Sequence, residues 1–284
     1  MDLVSINLPR ALANWALLAL ATCIVSCAST RSLDDVLGPS PDDEIRRVTA
    51  IADAKPDDAQ AQLDAARVLA AATDAMVVFG QVEALSEENG KGLSVKDVVL
   101  LDDNLASDLC ADILGLASAG MDYAQAAEEL GESVPEVEAE VKAEAAYFRG
   151  FHLSLVAWGE GSATAALRGR GPALAKLLKR LTESNELIEN AGPLRLRARF
   201  LDRAPWPYKD RDDAIKLLRQ AVEARPVAVN YQFLGDALWI DGDTEAALAA
   251  WRAGLDESEA SKVEAARQRL LQARLSAAEG SDSH

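Results

Sequence analysis

From residue 40 onward, apolar residues recur at helical spacing, and no run alternates apolar and polar positions as a strand would. Ala, Leu and Glu abound and β-branched residues are few, which favours helix throughout. Ser40-Pro41-Asp42-Asp43-Glu44 supplies an N-cap, a proline at the first helical position and acids at the positive helix end. The helix they open runs to about Ala54 and stops at Pro56. A long helix is predicted from 57 to about 79, and 85–94, LSEENGKGLS, reads as a loop with Ser94 as the next cap. Helices follow near 95–118, 122–130 and 135–158, separated at Gly120 and at 131–134. After the linker 159–172, GEGSATAALRGRGP, another covers about 172–190. A capping helix is predicted at about 258–278, with the last residues, EGSDSH, unstructured.

The most informative stretch is 193–255. Tyr231 stands in a bulky first position, Leu234-Gly235 form a large-small pair, and Leu238 follows three residues later. Ala247, Trp251 and Gly254 then give small, aromatic and small positions on the next helix. Small residues are needed where two helices cross closely, and bulky ones fill the adjacent holes. This is a tetratricopeptide pattern, and it predicts an all-α solenoid of about four helix pairs with a C-terminal capping helix. In the preceding pair, Ala198 and Ala214 take the corresponding positions. Their spacing is 16 residues, against 12 for Gly235 and Ala247, so four extra residues fall within Ala204-Pro205-Trp206-Pro207-Tyr208. That loop is either a packing plug or a recognition loop.

The N-terminus has a different character. Residues 11–25, ALANWALLALATCIV, form an uncharged apolar run after Arg10, shorter than the roughly 20 residues that span a bilayer. The run ends in Ile24-Val25-Ser26-Cys27, the form of a bacterial lipobox, in which the cysteine is acylated and becomes the new N-terminus. Leu20-Ala21-Thr22-Cys23 is a poorer candidate, and an ordinary secretory signal is the competing explanation. The expected organisation is a signal peptide at 1–26, a polar tether at 27–39, the helical domain at 40–279 and a tail at 280–284. Ala28 behind Cys27, where no Asp signals inner-membrane retention, favours the periplasmic side of the outer membrane. The lipid is then the expected link to the membrane.

The net charge of −17 makes nucleic acid an unlikely partner. Charge is uneven: residues 165–226 carry 14 Lys plus Arg against 8 Asp plus Glu, a balance of +6 that leaves −23 elsewhere. Arg195, Arg197, Arg199 and Arg203 share one short helix, and Arg195 and Arg199 share a face. With Gln232, Asp236 and Trp239 of the next repeat, that face is expected to line a concave groove, with Trp206 and Tyr208 at its rim. Guanidinium forks suit a carboxylate ligand or an acidic peptide. The alternative is that these arginines pair with acidic neighbours.

Catalytic signals are missing. His152 and His284 are the only histidines, so no His-based metal site can be built, and no GxSxG, HExxH, cysteine-pair or Walker motif is present. Cys110 reads as a small core residue, and the aromatics Tyr147, Phe148, Phe151 and Trp158 read mainly as core packing. A binding protein without cofactor or metal is expected rather than an enzyme.

The arrangement resembles the TatT family, the T component associated with tripartite ATP-independent periplasmic (TRAP) transporters. The resemblance rests on Gly192-Pro193, RAPWP at 203–207, DAIKLLRQAVEARP at 213–226 and the repeat after it. It extends to EAAYFRGFHLSLVAWG at 144–159 and to the lipobox, and residues 60–135 carry no part of it. It implies a lipid-anchored periplasmic accessory that associates with a solute-binding protein, with a trimeric assembly around a central channel. A structural or assembly lipoprotein whose groove holds peptide segments of an envelope complex is the alternative.

Overall fold

The computed structural model describes residues 41–88, 94–101, 105, 107–134, 138–184, 187–257 and 261–281. The lipobox with Cys27, the tether, most of the loop before Ser94, and His284 lie outside them. Among the described residues the chain is all-α, without strands, and forms twelve helices packed in neighbouring pairs, as a helical-repeat fold requires. They are α1 (Pro41–Ala54), α2 (Ala59–Glu88), α3 (Val95–Val99), α4 (Ser107–Ser133), α5 (Ala139–Glu160) and α6 (Ser162–Leu167). The second half comprises α7 (Arg170–Ser184), α8 (Ile188–Arg203), α9 (Arg211–Ala224), α10 (Ala228–Asp241), α11 (Thr244–Asp256) and α12 (Lys262–Ser281).

Helix ends follow local chemistry. Asp42, Asp43 and Glu44 occupy the first turn of α1, whose Val48 and Ala52 pack on Ala65 of α2. The buried Gln62 amide then donates to the Ala52 and Lys55 carbonyls, 2.8 and 3.3 Å away, satisfying orphan acceptors at the end of α1. Ser94 caps α3 through a reciprocal box with Asp97.

Several boundaries differ from the sequence expectation. α2 continues to Glu88, and the predicted 95–118 helix divides into α3 and the start of α4. The linker 159–172 contains α6, and the C-terminal helix extends through Glu279, Gly280 and Ser281, which were expected to be unstructured. α4 runs unbroken through both Gly120 and Gly131. Glycine there serves close packing instead of interruption: a Cβ on Gly120 would lie 2.3 Å from the His152 ring, and one on Gly131 would lie 2.6 Å from Lys142 Cγ. The propensity penalty of a helical glycine, about 1 kcal/mol, is outweighed by the crossing it permits.

Two cores result. Tyr147, Phe148 and Leu153 of α5 pack with Leu63 of α2 and with Leu174, Leu177, Leu178 and Leu181 of α7. The other joins α8 to α11 through Leu194, Ala198, Ala214, Leu218, Ala237, Ala247 and Trp251. α12 joins the second core to a further cluster: Leu271, Leu275 and Ala278 enter the second core, while Leu270 packs with Val78 and Leu85 of α2 and Val98 of α3. α2 is long and apolar enough to cross a membrane by length and composition, but it also packs against α1, α4, α5 and α12.

Gly235 marks the tightest crossing of α10 with α11. A Cβ there would fall 2.3 Å from Nε1 of Trp251, itself fully buried. Gly235→Leu is expected to destabilise the protein by roughly 1–3 kcal/mol through overpacking. Gly115→Ala, at an exposed helical position with no atom within 4 Å of the new Cβ, is expected instead to stabilise by up to about 1 kcal/mol. Urea denaturation of the two variants checks both; an unchanged midpoint for Gly235→Leu would refute the close crossing.

Candidate functional site

The candidate residues begin on α10. Asp236 follows Gly235 and is buried beneath α12, beside the Trp251 ring. Its Oδ1 accepts from Trp251 Nε1 at 3.0 Å and from Arg274 Nε at 2.6 Å, and its Oδ2 accepts from Arg274 Nη2 at 2.9 Å. Arg274 is 1 % exposed and gives a further hydrogen bond to the Leu270 carbonyl. One turn earlier, buried Gln232 accepts from Arg267 Nη1 at 3.3 Å. Arg267, also buried, reaches Asp74 of α2 and Glu264 on its own helix. Gln232 and Asp236 therefore do not line an open groove. α12 lies over that face, and its two arginines meet their polar atoms.

Arg195 has a similar internal role. Residues Glu189, Asn190 and Ala191 all adopt left-handed backbone, with φ of 48°, 55° and 64°, at the start of α8. Non-glycine residues resist that region, so surrounding contacts must hold it. Arg195 Nη1 donates to the Asn190 carbonyl at 3.1 Å and to Asn230 Oδ1 at 2.8 Å, and Nη2 donates to the Glu189 carbonyl at 3.3 Å. Buried Asn230 in turn donates to the carbonyls of Asn190, Ala221 and Arg225. The turn sets Gly192 against Tyr147, whose hydroxyl would be 2.5 Å from a Cβ there. Burial pushes the Tyr147 phenol up to about 12; Arg195 opposes the rise, while Glu189 and Asp74 add to it. Helices α2 and α8 thus bring charged side chains toward the buried hydroxyl that α5 supplies.

The remaining arginines of α8 also find neighbours. Arg197 donates to Thr182 and to Asp213, and Arg203 pairs with Asp202. The guanidinium of Arg199 stands 4.5 Å over the Phe233 ring. Arg199, Phe233 and Trp239 stay half-buried, and Trp239 also packs on Trp251 with ring centres 5.7 Å apart. Arg197 and Arg203 thus pair with acidic neighbours, the alternative that the sequence left open, whereas Arg195 meets backbone carbonyls and Arg199 stacks on a ring.

The inserted loop divides in two. Tyr208 packs inward on Phe200, with ring centres 5.5 Å apart, and against Gly171 of α7. Trp206 points into solvent, 89 % exposed. Tyr208 is the plug, and Trp206 is the side chain presented outward.

The sequence reading missed Arg267 and Arg274. Their signal was a helix-spaced stripe, Arg267, Leu270, Leu271, Arg274 and Ala278, that places two arginines in an otherwise apolar face. Among the described residues no group of three or more His, Cys, Asp or Glu is placed to hold a metal ion. Cys110 is half-buried on α4, and burial pushes its thiol up with help from Asp108, which leaves it poorly nucleophilic.

Compared with known proteins, the chain matches no family model, and no curated protein matches it.

Proposed function

We propose that this chain is a tetratricopeptide-type binding scaffold, held at the periplasmic face of the outer membrane by acylation of Cys27. It serves as an accessory to a solute-binding protein of a TRAP-type transport system. The helix-pair reading is supported by two interlocked contacts: Gly235 against Trp251, and Gly254, where a Cβ would lie 2.9 Å from Tyr231 Cβ. Both pairs occupy the small-large positions of the repeat pattern. The partner reading rests on the half-buried strip where the Arg199 guanidinium stacks on Phe233, with half-buried Trp239 farther along α10, residue types favoured at contact sites. The resemblance to the TatT family supplies the class of partner.

Affinity capture from envelope extract, with partners identified by mass spectrometry, tests this. The intact chain is expected to recover a solute-binding subunit, and Arg199→Glu to reduce that recovery by about ten-fold, the loss of a contact near 1.4 kcal/mol. Recovery of envelope-assembly proteins instead would favour the structural lipoprotein alternative. Recovery indifferent to Arg199→Glu would remove this strip from the interface. The anchor is tested separately: Cys27→Ser is expected to release the protein from membranes under a high-salt wash, and equal retention of both forms would refute acylation.

A further inference from the structure

Two large apolar side chains stand far out of the described surface: Leu167, 90 % exposed, and Trp206, 89 % exposed. Leu167 ends α6, and Trp206 tips the loop between α8 and α9. Tyr208 brings the two segments to one corner of the molecule, because its ring lies so close to Gly171 that a Cβ there would be 2.9 Å away. Leu167 is four residues from one side of that contact and Trp206 two residues from the other. Pro205, Pro207 and Lys209 are exposed around Trp206, and exposed Arg168 follows Leu167.

The charge on the Leu167 side of this corner is unlike the rest of the chain, while the Trp206 loop runs on through Lys209 into Asp210, Asp212 and Asp213. Residues 161–182 hold five basic side chains, Arg168, Arg170, Lys176, Lys179 and Arg180, and no acid, in a protein with 46 acidic residues. α7 buries Leu174, Leu177, Leu178 and Leu181 and turns Lys176, Lys179 and Arg180 outward. Acids from elsewhere meet part of the set: Glu160 holds Arg168 and Arg170, Glu128 holds Arg180, and Glu183 approaches Lys179 at 3.9 Å. Arg168 nevertheless stays 59 % exposed, and Lys176 and Lys209 lie at the surface.

We propose that this corner is a peripheral membrane contact, with Trp206 and Leu167 entering the headgroup region of an anionic bilayer while the flanking lysines and arginines meet lipid phosphates. Tryptophan favours the membrane–water boundary, and each basic side chain near an anionic leaflet adds attraction. Protruding apolar side chains on separate loops suit a fluid surface, which needs no complementary pocket. Lysine beside them argues the same way, because protein interface cores are depleted in lysine. The proposal goes beyond the binding role above and does not depend on acylation of Cys27. A second attachment of this kind would orient the helical body against the membrane, which an anchor at one end of a tether does not do.

The test is vesicle co-sedimentation of residues 28–284, which lack the apolar N-terminal run and keep every described residue. Vesicles of phosphatidylglycerol with phosphatidylethanolamine are compared with phosphatidylcholine alone. Binding is expected to the anionic vesicles only, and to weaken with salt. Leu167→Ser with Trp206→Ser is expected to reduce it by about ten-fold or more, given the area these side chains would bury. Arg168→Gln with Lys209→Gln is expected to reduce it several-fold. In the unaltered chain, brominated lipid is expected to quench tryptophan fluorescence, and Trp206→Phe to abolish that quenching. Absence of anionic-vesicle binding would overturn the proposal, as would equal binding by the Leu167/Trp206 variant or quenching that survives Trp206→Phe. So would a protein partner captured through Trp206 by a chain that binds no vesicle.

Discussion

Asp236→Leu is expected to destabilise the protein by about 3–5 kcal/mol, a large share of the roughly 5–15 kcal/mol that holds a typical domain folded. The carboxylate is the partner of two buried groups, the Arg274 guanidinium and the Trp251 indole N–H. Its removal leaves a cation in the interior with no counter-charge, together with an unsatisfied donor. The charge explanation makes a second demand. Asp236→Leu combined with Arg274→Met removes both ions and is expected to recover most of the loss, because an apolar pair of similar volume is often as stable as a buried ion pair. Urea denaturation of both variants measures this. If the double variant is as unstable as the single one, the network acts through shape and not through charge. If the single variant loses under about 1 kcal/mol, Asp236 and Arg274 are solvated in the folded protein, as surface pairs are.

The second large effect is acid sensitivity at His152. Its ring is fully buried, with Nε2 3.0 Å from the Ala66 carbonyl and Nδ1 without a partner. Nε2 must therefore carry the hydrogen, and a proton on Nδ1 would add a charge and an unmet donor. Burial lowers the His152 pKa from 6.5 to about 4, partly offset by the Ala66 hydrogen bond. The unfolded chain takes up the proton first as pH falls. Stability from this group is therefore whole above about 6.5 and is lost progressively as pH falls toward 4. Between pH 7.5 and 4.5 the loss amounts to about 2–3 kcal/mol. His152→Gln keeps a donor for Ala66 and removes the titration. Its stability is expected to fall less over the same interval, with the carboxylates contributing alike to both proteins. Parallel pH profiles would show that His152 is solvated or already protonated in the fold.

The helical class was legible because period and caps are local. Pro41 with its acids and Ser94 with Asp97 mark helix starts that their neighbours alone determine. The glycines were less legible. Gly115, Gly120, Gly131 and Gly235 are all helical, and only the opposing side chain tells an open position from a crossing. The face bearing Gln232 and Asp236 was read as solvent-facing for the same reason. Its cover, Arg267 and Arg274, comes from a helix 35 and 38 residues away, and no local pattern states that pairing. The left-handed turn at 189–191 was hidden because none of its residues is glycine, so Arg195 passed for a ligand-binding cation instead of a clamp on backbone carbonyls. Of the loop 204–210, the sequence showed the insertion but not which aromatic turns inward.

The docking of α12 on α2 also bears on how the chain reaches this state. A simple stack can grow from one end, each helix pair stabilised by the pair before it. Here Arg267 and Asp74 meet across 193 residues, so the final helix cannot find its complete seat until the early helices are in place. That long-range closure slows acquisition of the native state relative to a helical array with only nearest-neighbour contacts. It also links the two ends in unfolding: release of α12 uncovers Leu270 on one side and Leu271 on the other, and exposes the α8–α11 core and the α2–α3 cluster to water together.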